Sequence, residues 1–350
     1  MRKLLRHAAL TAAKSVGVSG LVKGSDWRRQ RLLILCYHGI SLEDEHQWRP
    51  QLYISPQKLE RRLEVLRREK CAVLPLEEAL ERLYRNDLPP RSVTLTFDDG
   101  AYDFYARALP RLKQHGFPAT VYLTSYYSQL QRPIFGLVCS YMLWKARDRV
   151  PIDLREFGIA RPVDSGSAKA RERAESELAR WIDRQNLSGQ QKDQIAASLA
   201  VRLGIDYREL CAKRILHVMN RQEIGQLADA GVDVQLHTHR HRTPLDEGLF
   251  RREIQDNRAY VASFVRGVRK HFCYPSGAYR PEFLTWLAGE NIVSATTCDT
   301  GFASAQSNLL LLPRLVDTMV RTDLEFESWV TGVGSFLSRH KRGRHAYVAD

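Results

Sequence analysis

Residues 92–124 read SVTLTFDDGAYDFYARALPRLKQHGFPATVYLT. An apolar and β-branched run, Ser92–Phe97, ends in two aspartates and a glycine. A segment of helical period follows and stops at Gly116, a residue suited to the left-handed position beyond a last helical turn. A second β-branched run, Pro118–Thr124, closes the unit. Strand, helix and strand within 33 residues describe two parallel strands covered by a helix, the repeating unit of an α/β protein.

The same alternation extends in both directions. Upstream, RLLILCYHGI (31–40) reads as a buried strand and SPQKLERRLEVLRREK (55–70) as a helix with Pro56 at its start. CAVLP (71–75) reads as a strand and LEEALERLYR (76–85) as a helix. Downstream come a helix at NRQEIGQLADAG, a strand at VDVQL, a helix near Leu245–Phe264 and a strand at KHFCYP. RPEFLTWLAGE then reads as a helix, NIVSATT and NLLLLPRLV as strands, and DLEFESWVTGVGSFLSRH as a last helix. Seven or eight strands in βα order are compatible with a closed barrel, in which chemistry gathers at the C-terminal ends of the strands. Residues 126–215 break the pattern with charged, Ala-rich helical segments, and read as a helical insertion.

Length and composition set the class. A chain of 350 residues with 44% hydrophobic and 27% charged residues has ample core for a globular α/β domain. No apolar run is long enough to span a bilayer. Net charge is +13, but residues 1–31 hold eight basic residues against one acidic, a net +7, and residues 339–350 four against one, a net +3. The body between them carries only +3, which argues against a nucleic-acid groove. The N-terminal arm fits a basic amphipathic helix better than a signal peptide, because Arg6, His7 and Lys14 interrupt its apolar stretch. Such a helix lies on an anionic membrane surface or packs on the body. Six scattered cysteines without a CxxC pair read as free thiols of a reducing compartment. Together these point to the cytoplasm, with the basic ends on the inner face of the membrane.

Two stretches carry chemistry. TFDDG (96–100) places Asp98 and Asp99 at a strand exit, where adjacent carboxylates call for a cation or a proton. The other reading is an Asp-Gly turn with one capping aspartate. HTHRH (237–241) also follows a strand, VDVQL. If the chain turns after His237, His237 and His241 converge at i, i+4 while His239 points elsewhere. Two histidines and one aspartate make a three-ligand site with room for water, as in hydrolytic metal centres.

TFDDG followed by HTHRH resembles the polysaccharide deacetylase family (carbohydrate esterase family 4, the NodB-homology domain), whose second motif is H-[S/T]-x-x-H. The resemblance runs from about Leu32 to Val316. It implies a distorted (β/α)7-type barrel as residues 32–338, with the helical insertion inside it and basic arms at 1–31 and 339–350. It further implies Asp98 as general base, Asp99, His237 and His241 as ligands of a divalent metal ion, with Zn2+ the favoured identity, and Thr238 as a brace for the loop. His239 falls on a variable position and is not expected to bind. The family's R-x-P-Y-G reads Cys273-Tyr274-Pro275-Ser276-Gly277 here. Ser276 would offer the oxyanion a backbone N–H, and Arg314 is the candidate to orient the base in place of the missing arginine. The late L-x-H motif reads Leu312-Pro313-Arg314, without a histidine. CYHGI resembles the subgroup typified by poly-N-acetylglucosamine deacetylases, in which an early Y-H supplies the general acid, here His38. The implied activity is metal-dependent N-deacetylation of an amino-sugar-containing glycan. O-deacetylation by the same centre and non-catalytic glycan binding are the alternatives.

Overall fold

The structure, a computed structural model, describes residues 2–15, 17–149 and 151–336. Seven strands form the framework: β1 (Arg31–Tyr37), β2 (Val93–Phe97), β3 (Thr120–Leu123), β4 (Asp233–Leu236), β5 (His271–Cys273), β6 (Ser294–Thr300) and β7 (Leu312–Val316). They pair in sequence order, all parallel, and β7 closes on β1 through Leu35 opposite Leu315. The result is a closed seven-stranded barrel, as the resemblance implied. It is distorted where β5 has three residues and where the β6–β7 register shifts between Leu312 and Arg314. Pro313 sits at that shift, and a residue without an N–H is tolerated where the ladder is already broken.

Both faces of the strands are buried, so they read as continuous apolar runs. Along β1, Leu33, Leu35 and Tyr37 pack with Leu59, Leu63 and Leu66 of the Pro56–Arg68 helix. Leu32 and Ile34 join Tyr122, Cys273 and Leu312 from other strands inside the barrel. The helix owes its start to Ser55, whose Oγ accepts the Lys58 N–H, followed by Pro56.

CAVLP is not a strand. Val73 makes a single bridge to Val93, and Pro75 already caps the next helix. Both edges of β2 are taken by β1 and β3. The helix after TFDDG also differs from a plain α-helix. It opens with a π-turn, Phe104–Ala108, because Pro110 cannot donate to the preceding turn. The last helix ends at Thr331 because Gly332 takes a left-handed φ of 101°. A short turn, Val333–Phe336, follows, and residues 339–350 lie outside the described residues.

Between β3 and β4, the Phe135–Lys145, Ala168–Gln185 and Gly189–Leu203 helices build a core of their own around Val138, Met142, Leu178 and Leu199. They leave the barrel at the C-terminal end of β3, the end where barrel enzymes carry their sites. At the N-terminus, the Arg2–Ser15 helix packs against the Asp323–Thr331 helix, with Leu10 buried and Lys14 paired to Glu327 at 2.5 Å. Arg28 is fully buried and donates to the carbonyls of Val330 and Ser92. Among the described residues, no helix is long and apolar enough to cross a membrane. All six cysteines are free, with Cys71, Cys211 and Cys298 only partly buried.

A buried ion pair ties the helical layer to the end of β7. Arg62 Nε donates to Asp317 Oδ2 at 2.8 Å, with both side chains at 0% exposure. Arg62 also donates to the Arg321 carbonyl and lies over the Phe326 ring. Replacing Arg62 by methionine is expected to destabilise the fold by about 3 kcal/mol, because buried Asp317 keeps only the looser contact with Arg321 at 3.5 Å. Urea denaturation at neutral pH measures this. A loss below about 1 kcal/mol would show that the pair contributes little.

Candidate active site

The ends of β2 and β4 bring the two motifs together. Asp99 follows β2 in a left-handed conformation, φ 69°, and Gly100 continues it at φ 73°. A side chain at Gly100 would collide with Leu123 at 2.2 Å, so the turn requires glycine. After β4 the chain turns at Thr238 (φ 62°) and again at His241 (φ 56°). Thr238 Oγ1 accepts the Arg242 N–H at 3.1 Å and holds that turn. Asp99, Thr238, His241 and Ser276 thus all stand in a backbone region that side-chain-bearing residues adopt at a cost, and such residues cluster at functional sites.

The turn places His237 and His241 with ring centroids 4.9 Å apart, and the Nε2 atom of each lies 3.2 Å from Asp99 Oδ1. His237 Nδ1–H donates to the Cys273 carbonyl at 2.8 Å, so its Nε2 carries the lone pair. Asp99 Oδ1 is buried and has no hydrogen-bond partner. One oxygen equidistant from two imidazole nitrogens cannot be satisfied by one bridging proton. Burial alone would raise the Asp99 carboxyl, yet His241 and His237 hold it well below the usual range. Three donor atoms within 4.8 Å of one another, two nitrogen and one oxygen, suit a divalent cation of the zinc type and leave a position for water. His239 stays out of this group. Its Nδ1 lies 2.9 Å from Ser125 Oγ, and its ring is buried.

Asp98 points into the barrel. Arg314 from β7 donates to both of its oxygens, Nη1 to Oδ1 and Nη2 to Oδ2, each at 2.7 Å. Arg314 is itself held by the Thr297 carbonyl and Thr96 Oγ1, and is fully buried. Cys273, at the position of the family's arginine, packs in the same cluster. It accepts from Arg314 Nη2 at 3.1 Å and directs its thiol at Asp98 Oδ2 at 3.4 Å. Burial would raise the Asp98 carboxyl, but the charge and hydrogen bonds of Arg314 reverse this and hold it far below the carboxylate range. His38 follows β1 and brings Nε2 to 3.6 Å from Asp98 Oδ2. Burial keeps its imidazole below the ordinary value, against the upward pull of Asp98 and Asp99. Ser276 is exposed on the Pro275–Gly277 turn after β5 and makes no side-chain hydrogen bond to Asp99, His237 or His241. Beside the triad, a pocket is lined by His38, Gly39, Leu52, Tyr53, Asp99, Ala101, Ile134, Leu137, Leu216 and His217.

Sequence reasoning missed the residues that hold the HTHRH turn from behind. Asn257 Oδ1 accepts the His237 N–H at 3.0 Å while its Nδ2 donates to the Leu123 carbonyl and to Ser125 Oγ. Buried Glu253 accepts from Arg240 and Arg242. Both project from the Glu247–Ala262 helix, four residues apart, and the available signal was two polar residues on the face that buries Phe250, Ile254 and Val261. Replacing Asn257 by leucine removes its hydrogen bonds to the His237 N–H, the Leu123 carbonyl and Ser125 Oγ, and leaves the first two only their mutual bond at 3.2 Å, at about 1 kcal/mol for each bond lost. Affinity for a divalent ion is expected to fall about 10- to 100-fold, as when outer-shell partners of a metal site are removed. Competition with a chromophoric chelator checks this, and unchanged affinity would sink it.

A family model described as polysaccharide deacetylase matches residues 85–137 and 205–292. This chain belongs to the polysaccharide deacetylase family. The matched segments contain both motifs, and the gap between them falls on the helices between β3 and β4. The barrel of this polysaccharide deacetylase is similar to that of the Streptococcus pyogenes deacetylase PplD, with 20% identity, a TM-score of 0.57, and 86% of this chain and 98% of that one covered. It is also similar to IcaB from Ammonifex degensii, at 16% identity and a TM-score of 0.52, covering 87% and 97%. BC0361, a polysaccharide deacetylase from Bacillus cereus, matches at 15% identity and a TM-score of 0.52, covering 86% and 69%. At these identities the likeness is one of fold. No curated protein sequence matches the chain.

Proposed function

We propose that this protein removes N-acetyl groups from an amino-sugar-containing glycan by metal-assisted hydrolysis. The observation that carries the reading is the pairing of adjacent aspartates with opposite surroundings. Asp99 Oδ1 faces two imidazole nitrogens at 3.2 Å, whereas Asp98 is gripped by Arg314 at 2.7 Å. Asp99, His237 and His241 would hold the divalent cation. When bound, it supplies Lewis-acid polarisation of the acetyl carbonyl and lowers the pKa of a coordinated water.

The remaining steps fall to this chain's own residues. Asp98 accepts the proton of the attacking water as its oxygen adds to the carbonyl carbon. Arg314 fixes the direction of that carboxylate. The Ser276 backbone N–H is the candidate donor to the oxyanion. His38 gives a proton to the leaving nitrogen as the C–N bond breaks, yielding acetate and a free amine. Lying 3.6 Å from Asp98, it can be loaded with the proton that Asp98 takes from water, so it need not enter the cycle protonated.

The test is acetate release from N-acetylglucosamine oligomers and cell-envelope glycans, with free amine appearing in equal amount. Stripping the metal is expected to abolish the activity and one equivalent of Zn2+ per chain to restore it. A full rate in stripped protein would refute the scheme.

A further inference from the structure

His217 stands outside every motif considered so far. It lies on the segment by which the helices between β3 and β4 return to the barrel, and that segment is clamped on both sides. The His217 carbonyl accepts the Tyr102 N–H at 2.8 Å, the Met219 N–H donates to the Gly100 carbonyl at 3.0 Å, and the Ile134 N–H donates to the Leu216 carbonyl at 2.9 Å. Arg214 lies over the Tyr102 ring at 4.0 Å and pairs with Glu223. Arg214 and Leu216 both take positive φ, 55° and 58°. For a leucine this conformation is unfavourable and persists only where the surroundings over-determine it. The strain falls on the residue that aims His217.

The ring itself is buried and lines the same pocket as His38 and Asp99. Its Nδ1–H donates to the Ile215 carbonyl at 3.0 Å, which fixes the tautomer and leaves Nε2 as the acceptor nitrogen. Burial pushes the imidazole down to about 4, so the ring is neutral at physiological pH. Around it the pocket wall is apolar, formed by Leu52, Tyr53, Leu137 and Leu216 among others. An apolar wall with one fixed acceptor suits a ligand with a C–H face and a hydroxyl donor at its edge.

We propose that His217 is a specificity residue whose Nε2 accepts a hydrogen bond from a hydroxyl of the pyranose that carries the acetamido group, while Leu52, Tyr53 and Leu137 cover the sugar's apolar face. The inference rests on the de-N-acetylation reading above. It makes the segment closing the helical excursion part of the substrate site.

The experiment compares wild type with His217→Leu, His217→Asn and His217→Gln on N-acetylglucosamine oligomers, with melting temperature and bound zinc measured alongside. Leucine is expected to raise KM about five- to tenfold, the effect of one neutral hydrogen bond, and to lower kcat by less. Glutamine, whose Oε1 can reach the place of Nε2, is expected to recover most of the loss. Asparagine, one methylene shorter, is expected to behave like leucine, and the Gln–Asn pair decides the matter if the leucine variant does not fold. Unchanged KM in the leucine or asparagine variant of an active enzyme overturns the proposal alone. Equal impairment by glutamine and leucine also overturns it, because the imidazole would then act only structurally. A wild-type protein that releases no acetate from any amino sugar overturns the de-N-acetylation reading and this proposal with it.

Discussion

Asp98→Asn is expected to lower kcat on N-acetylglucosamine oligomers by about 10²–10⁴, the usual range for removing a positioned acid–base group. The amide keeps the shape of the carboxylate but cannot take the proton from water. Bound metal is expected to stay at one equivalent, because the proposed ligands are Asp99, His237 and His241. Retained metal with lost turnover separates the two aspartates by role. Wild-type turnover would end the assignment of Asp98 as base. Loss of metal together with turnover would show that the two carboxylates act as one site. Arg314 is left facing a neutral amide in this variant, so a melting curve must accompany the kinetics.

Arg314→Met addresses the same ion pair from the other side and is expected to show in stability as much as in rate. Asp98 and Arg314 are both buried, and a buried pair broken by removing one partner loses about 3–5 kcal/mol. The pH dependence should change sign as well. In the wild type, Arg314 overrides burial and depresses the Asp98 pKa. Its contribution is therefore complete above the unfolded value of about 4 and is lost only as pH falls through the folded value. In the variant, burial is opposed only by the nearby His38 and His237 and is expected to raise the carboxyl above its unfolded value. The folded state then binds the proton more tightly, so stability should rise as pH is lowered from about 7 towards 5. The acid limb of kcat/KM should move to higher pH, because the base becomes protonated sooner. Denaturation at the two pH values decides the first point and a pH–rate profile the second. A variant with an unshifted acid limb would show that Arg314 does not tune the base.

Much of this site is written in short stretches. Asp98 and Asp99 were legible because a strand followed by Asp-Asp-Gly is a local pattern, and the left-handed turn that separates the two carboxylates needs only Gly100 beyond them. The i, i+4 convergence of His237 and His241 is likewise a property of five residues. Strand counting was less secure. CAVLP has the composition of a strand but finds both edges of β2 occupied, and a closed ring admits no eighth member there.

Arg314 illustrates the other kind of information. It meets Asp98 across 216 positions of sequence, and only because β7 closes the barrel against β1. The motif comparison could mark Arg314 as a candidate. The bidentate grip, the thiol of Cys273 beside it and the opposite electrostatics of two neighbouring aspartates exist only once the ring is shut. Asn257 and Glu253 carry no motif at all, since each acts through a partner outside its own helix. The aspartate pair at a strand exit, the converging histidines and the alternation that builds a barrel follow from residue types at short spacing, where backbone geometry leaves little choice. The orientation of Asp98, the support behind His237 and the wall of the pocket depend on contacts that form when distant strands close, and no local pattern encodes those.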